Sequence, residues 1–187
     1  LAVTAHPETS KTPARPADRP TLTVAAEGAC WVVSDGVRAW HVGAGPHLID
    51  RIEVAGREVG RDVSLVSLWQ DGPDDDVSRP QRESWSGRVE DVTVEQSGPD
   101  RAVLLLTGHH RPDGATARNG DAWLTFRVRL VFSAGRPDVL VQHTFVWDGD
   151  AATDFLAGLG VRVAVPLREQ PWNRHVRLSG PLHDGRI

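Results

Sequence analysis

The chain has 187 residues and a formal net charge of −4, and it is 40% hydrophobic and 25% charged. This composition is typical of one globular domain with its own core. Its basic residues are scattered, and no apolar run approaches the roughly 20 residues of a membrane helix, which argues against a nucleic-acid partner and a membrane span.

The first segment, LAVTAHPETSKTPARPADRP, has four prolines and no periodic apolar pattern. Such composition is typical of an extended linker. We therefore predict a linker over residues 1–20 and an ordered domain over residues 21–187.

From residue 21 onward, short apolar segments alternate with turn residues. TLTVAAEG, CWVVSDG and VRAWHVGAG come first, followed by HLIDRIEVAGREV and VSLVSLWQ. The polar, proline-containing stretch DGPDDDVSRPQRES then predicts a long surface loop. After it, GRVEDVTVEQ and RAVLLLTGHHR flank SGPD, which predicts a β-hairpin. We allow for one helical turn, near residues 150–156.

The segment WLTFRVRLVF shows the clearest strand pattern, because large apolar residues occupy every second position. Strand side chains alternate between the two faces, so one face is expected to be buried and the other solvated. The predicted buried residues are Leu124, Phe126, Val128, Leu130 and Phe132; the predicted solvated residues are Trp123, Thr125, Arg127 and Arg129. The sequence thus predicts an all-β, antiparallel two-sheet β-sandwich with few or no helices.

Histidines are the first candidates for chemistry. His143 lies between Val141 and Phe145 on the apolar side of its strand, which favours a core or groove-wall residue; contact with a sugar is the alternative. His109 and His110 are adjacent on a strand and point to opposite faces, so they are poorly placed to share one metal ion. Together with Arg111 they could bind a carboxylate or a sugar hydroxyl.

Two residues beside the acidic loop are further candidates. Trp85 could stack on the apolar face of a pyranose from an exposed loop, or it could fill the edge of the sandwich. Arg82 could pair with an anionic sugar, or it could be solvated.

Two runs of carboxylates remain, and we predict no cofactor from them. Solvated turns are the favoured interpretation, since neither run matches an EF-hand loop, and a calcium site is the alternative. The runs are Asp71, Asp74, Asp75 and Asp76, and then Asp148, Asp150 and Asp154.

The order of these strand-turn-strand patterns resembles a known family. The stretches SGRVEDVTVEQSGPDRAVLLLTGHHR, WLTFRVRLVFSAGRPDVLVQHTFVWDGD and DFLAGLGVRVAVPL resemble the central β-sandwich domain of rhamnogalacturonan exolyase-like (YetA-like) proteins. The resemblance implies a supersandwich, mutarotase-like in shape, between an N-terminal β domain and a C-terminal α/α toroid. It also implies that the chain is a fragment that ends before a helical domain.

The same resemblance implies a function for the parent protein. The implied parent is an extracellular polysaccharide lyase-like protein whose substrate is a pectic or other acidic polysaccharide. We expect a module that packs on a catalytic toroid and is inactive alone, with Trp85, Arg82, His109, His110, Arg111 and His143 lining a shared cleft; no catalytic residue is assigned. The alternatives are a carbohydrate-binding module with coplanar exposed tryptophans, or a mutarotase-like site with a histidine facing Glu53, Glu90 or Glu95.

Overall fold

The computed structural model describes residues 20–73, 79–118 and 120–174. The fold is all-β, as predicted, and one 3-10 turn at Pro171–Asn173 accompanies the strands. The ten strands are β1 (Thr23–Glu27), β2 (Cys30–Ser34), β3 (Arg38–Gly43), β4 (Ile49–Val54), β5 (Arg57–Gln70), β6 (Arg82–Ser97), β7 (Arg101–Pro112), β8 (Trp123–Ser133), β9 (Val139–Phe145) and β10 (Phe155–Ala164).

The strands pair antiparallel in chain order from β1 to β9, and β10 returns to pair with β5. Strand β4 pairs with positions 57–63 of β5, and β6 pairs with positions 66–70. Strand β10 covers positions 61–70, overlapping both partners. Because a strand has only two edges, β4 and β6 share one edge of β5 and β10 occupies the other. Strand β5 therefore joins two groups of strands, β1–β4 and β6–β9.

The two groups face each other across one apolar core. Trp40 of β3 contacts Phe132 of β8 with ring centroids 5.2 Å apart. Backbone hydrogen bonds between Gly45 and Val89, in both directions, tie the β3–β4 connection to β6. Residues from both groups make up the core: Val33, Trp40, Val42, Leu48, Ile49, Val63, Leu65, Val89, Leu104, Leu106, Phe126, Val128, Leu130 and Phe132. Burial on both inner faces is what closes a sandwich.

The predicted alternation along β8 is confirmed, with one exception. All five predicted apolar residues are buried, while Thr125 and Arg127 are exposed. Trp123 was predicted on the solvated face and is buried instead. Leu124 adopts a left-handed φ of 46°, and the β7–β8 register shifts between Gly108 and His110. This bulge turns two consecutive side chains inward, which a strict period of two does not allow.

The boundary predicted for the acidic loop was wrong at its C-terminal end. Strand β6 begins at Arg82, and its residues 82–86 pair with the last five residues of β5. Trp85 therefore lies within a strand and not in a loop. Pairing with β5 satisfies the backbone hydrogen bonds of residues 82–86, and the polar composition of this stretch gives no sign of that pairing.

Three predictions fall on parts of the chain outside the described residues. They are the linker over residues 1–19, the acidic residues 74–76, and the C-terminal boundary beyond residue 174. Within the described residues, no helix has the length and apolar character needed to cross a membrane.

Candidate functional site

A cavity of about 600 Å³ opens at one end of the sandwich. In an up-and-down arrangement, the β5–β6, β7–β8 and β9–β10 connections meet at the same end, and each contributes to the lining. The lining residues are Trp69, Asp71, Ala117, Arg118, Asp148, Asp150, Thr153 and Asp154. Four carboxylates and one guanidinium make the cavity polar and predominantly acidic.

A nearly buried ion pair forms part of the cavity wall. The Nε atom of Arg118 lies 3.2 Å from Oδ2 of Asp154, and the two side chains are only 8% and 9% exposed. Asp154 also accepts hydrogen bonds from Nε1 of Trp69 (2.7 Å) and from the backbone N–H of Asp150 (2.9 Å). Buried charges are tolerated when they are paired and hydrogen-bonded in this way. The pair ties the β7–β8 connection to the β9–β10 connection.

Tryptophan rings lie beneath the same guanidinium. Arg118 sits 5.7 Å from the ring centroid of Trp85 and 5.3 Å from that of Trp123, within cation–π range. The two rings contact each other at 5.8 Å, and both are fully buried. Trp85 consequently presents no open face on which a pyranose could stack. The carbohydrate-binding alternative, which would be favoured if Trp85 and a second tryptophan lay coplanar on an exposed surface, gains no support from Trp85.

The bulge at Leu124 is held by two side chains. The backbone N–H of Leu124 donates to Oδ1 of Asp148 at 2.8 Å, and its carbonyl accepts from Nδ1 of His110 at 3.1 Å. A non-glycine residue with positive φ costs free energy, so these bonds stabilise a conformation that the chain would otherwise avoid. Asp148 and His110 thereby fix Trp123 in its buried position.

His110 and His143 lie side by side on the inner face, with ring centroids 6.3 Å apart. His110 is fully buried, and desolvation lowers its pKa to about 4 despite the hydrogen bond to Leu124, which acts in the opposite direction. Desolvation also lowers the pKa of His143, which is half-buried. The prediction that His143 forms part of a wall fits this placement, although its Nε2 atom has no hydrogen-bond partner.

His109 points to the face of the sheet opposite to that of His110, as predicted for two adjacent strand residues. Its Nδ1 atom lies 3.2 Å from Oε1 of Glu90, and its side chain is 14% exposed. The mutarotase-like alternative would be favoured if a glutamate faced His143 or His109 across an open groove. Here His109 and Glu90 are in direct contact. The other two candidate glutamates pair with arginines: Glu53 with Arg51, and Glu95 with Arg129.

The two predicted arginines remain accessible at the same end of the sandwich. Arg82 is exposed and donates from Nε to Oε1 of Gln70 at 3.0 Å. Arg111 is 44% exposed and lies 3.1 Å from Asp121. Of the six predicted cleft residues, Arg82 and Arg111 are exposed, whereas Trp85 and His110 are buried.

The second acidic run serves the fold. Asp148 binds the backbone of Leu124, Asp150 accepts from the N–H of Ala152 at 2.9 Å, and Asp154 pairs with Arg118. Within the described ranges, no group of three or more histidine, cysteine or acidic side chains is arranged to hold a metal ion.

Arg118 is the member of the site that the sequence analysis missed. It lies in a polar connection whose composition predicts only a loop, and it is 36 positions from its partner Asp154. One indirect signal existed: Trp69, Trp85, Trp123 and Trp147 all lie near strand ends that the hairpin order brings to the same end of the sandwich.

Comparison with known proteins identifies a family and a relative. The family model for the PcRGLX-like protein central beta sandwich domain matches residues 22–185. A curated Bacillus subtilis (strain 168) protein described as "Uncharacterized protein YetA" is 34% identical over 92 residues, which cover 49% of this chain and 10% of that protein. The region shared with YetA is thus a small part of that relative's length.

Proposed function

The chain belongs to the PcRGLX-like central β-sandwich family, and from that premise we propose that it is the sandwich module of a polysaccharide lyase-like protein acting on pectic, acidic polysaccharides outside the cell. In this proposal the module packs against a catalytic helical domain of the same polypeptide. Its own contribution to the sugar cleft comes from Arg82 and Arg111, because guanidinium groups bind the carboxylates of acidic sugars well.

One observation carries the proposal: an apolar row along β10 that the sandwich does not cover. Leu159, Val161 and Val163 are 39%, 46% and 46% exposed. In the β10–β5 register, Leu159 is opposite Ser67 and Val161 is opposite Leu65. Both partners on β5 are only 1% exposed. The side of β10 that carries Leu159 and Val161 is therefore continuous with the core-facing side of β5, but the core does not cover it.

Such a row indicates a contact with another protein surface. Contiguous exposed apolar patches on single domains frequently mark interaction sites. The family description calls this domain central, so a neighbouring domain of the same polypeptide is the natural partner. A packed interface on β10 would bury side chains that cost free energy when left in water.

The paired state of the polar groups supports a scaffold role over a catalytic one. Cleavage beside a uronic acid by β-elimination requires a base, a group that neutralises the carboxylate, and an acid for the leaving oxygen. In the cavity Arg118 is committed to Asp154, and on the outer face His109 is committed to Glu90. In the proposal, the base and the acid come from the neighbouring domain.

A charge on the apolar row tests the docking. We expect Val161→Asp to weaken binding of the isolated module to the separately expressed remainder of its polypeptide at least about tenfold, or about 1.4 kcal/mol. The reason is that a carboxylate would be desolvated in the interface without a partner. Calorimetric titration measures the dissociation constant, and urea unfolding of the module alone should change by less than about 0.5 kcal/mol.

The matched control is Leu140→Asp on β9, which is 62% exposed and lies on a different edge strand, at one end of the strand order. We expect it to change the dissociation constant less than about twofold, since exposed sites away from an interface contribute little. Unchanged binding by Val161→Asp would contradict the docking. An isolated module that released unsaturated uronate from pectin unaided would contradict the scaffold role.

A further inference from the structure

Strand β9 is attached to the sandwich mainly on one side. Within the described residues it forms a ladder with β8 alone. Its inward side chains, Val139 and Val141, pack partly against the core. The third inward side chain in this row is His143, the polar member. The interactions of the His143 side chain therefore affect how strongly β9 is held against the core.

The structure provides no acceptor for a proton on the Nε2 atom of either His143 or His110. The Nε2 atoms of both rings are buried without a hydrogen-bond partner. His110 uses Nδ1 to donate to the carbonyl of Leu124, so its Nε2 carries only a lone pair in the neutral ring. Protonation of this Nε2 atom would create a buried N–H without an acceptor. The charged ring would also lie close to His143, since the two ring centroids are 6.3 Å apart. A buried, unpaired charge is costly.

We propose that His110 and His143 form an acid-sensitive latch that holds β9 against the core when both rings are neutral and releases it when they are protonated. Release opens the edge locally while β7 and β8 stay paired. This inference does not depend on the proposed lyase-like function.

Few charged or titratable groups act on His110. On its own strand His110 has His109 as a neighbour, and across the gap to β9 it faces His143; both disfavour its charged form. Asp148, from the β9–β10 connection, favours the charged form to a smaller extent than burial disfavours it. From β8 the ring meets the apolar Phe126 at 5.5 Å. The carboxylate of Asp148 therefore offsets the desolvation only in part.

The direction of the pH effect follows from proton linkage. The pKa of His110 is lowered from 6.5 to about 4, so above pH 6.5 both the closed and the opened forms are neutral and the latch is at full strength. Between 6.5 and about 4, an opened form in which His110 meets water binds a proton that the closed form does not. At about pH 5 this linkage raises the opening equilibrium roughly 30-fold.

Hydrogen exchange measured by mass spectrometry at about pH 7.5 and about pH 5 tests the latch, with intrinsic exchange rates corrected for pH. We expect peptides that cover 139–147 to lose about 30-fold in protection at the lower pH, while the β7 peptide 102–106 keeps its protection. His110→Asn, which retains a donor toward Leu124, and His143→Gln should each reduce the loss. His47→Gln is the control, because His47 is 25% exposed beside Asp50 and should leave the loss unchanged.

Three outcomes would overturn the latch: β9 protection that does not depend on pH, an acid response that survives in both variants, or simultaneous loss of protection in β7 and β9. Because a variant could fail to fold, titration of the two histidines by NMR in the unsubstituted chain provides a second test. Two pKa values near 6.5 would equally overturn the proposal.

Discussion

Replacing Asp154 with Leu is expected to lower the free energy of unfolding by about 3–5 kcal/mol, because the substitution removes the carboxylate that lies 3.2 Å from the buried Arg118 guanidinium. The indole N–H of Trp69, which donates to Asp154 at 2.7 Å, would also lose its acceptor. Urea denaturation followed by tryptophan fluorescence measures the change.

A double substitution separates the ion pair from the packing around it. We expect Arg118→Met with Asp154→Leu to cost less than the sum of the two single substitutions, since it removes both charges together. Methionine keeps an apolar side chain over Trp85 and Trp123, where Arg118 now lies. If the single Asp154→Leu variant lost less than about 1 kcal/mol, the pair would be behaving as an exposed ion pair, in contradiction to the structure.

Gly108→Ala is expected to be the most damaging single methyl addition in the described part of the chain. A Cβ atom at Gly108 would lie 1.9 Å from the backbone oxygen of Arg88 and 2.9 Å from the ring of Phe126. Backbone cannot rotate away as a flexible side chain can, so β6 and β7 would have to separate locally. We expect a loss of about 3 kcal/mol or more, measured by urea or thermal unfolding.

Gly114 provides the matched control for this substitution. It lies in the β7–β8 connection, and a Cβ atom there would meet nothing within 4 Å. Gly114→Ala should change stability by less than about 0.5 kcal/mol or raise it slightly, because alanine reduces the freedom of the unfolded chain. Equal effects at Gly108 and Gly114 would show that the β6–β7 approach is looser than the structure has it.

The strand pattern of this chain could be predicted because it is local. The alternation in β8 and the SGPD turn between β6 and β7 depend on residues a few positions apart. The burial of Trp123 could not be predicted, since it depends on a left-handed Leu124 that Asp148 and His110 stabilise from elsewhere in the sequence. A period of two assigns each residue to a face only while the ladder has no bulge.

The candidate site depended on contacts between distant positions, and most of it was missed. Trp69 and Asp154 are 85 positions apart, and Arg118 lies between them in a loop without apolar periodicity. Propensity and hydrophobic pattern describe neighbours along the chain, so they cannot show which loop residue pairs with which strand end. The orientations of His109 and His110 were predicted correctly because adjacent strand residues must point to opposite faces.

The return of β10 to β5 also determines where chain entropy opposes folding most. Strands β1 to β9 pair with their immediate neighbours, so each ladder closes a short loop. The contact between Trp69 and Asp154 joins residues 85 positions apart, and closing a loop of that length costs about 4 kcal/mol on a logarithmic scale. The ladders among β1 to β9 join residues that are close in sequence, whereas the β5–β10 ladder joins distant ones. Forming the β5–β10 ladder therefore costs the most chain entropy among the described strands.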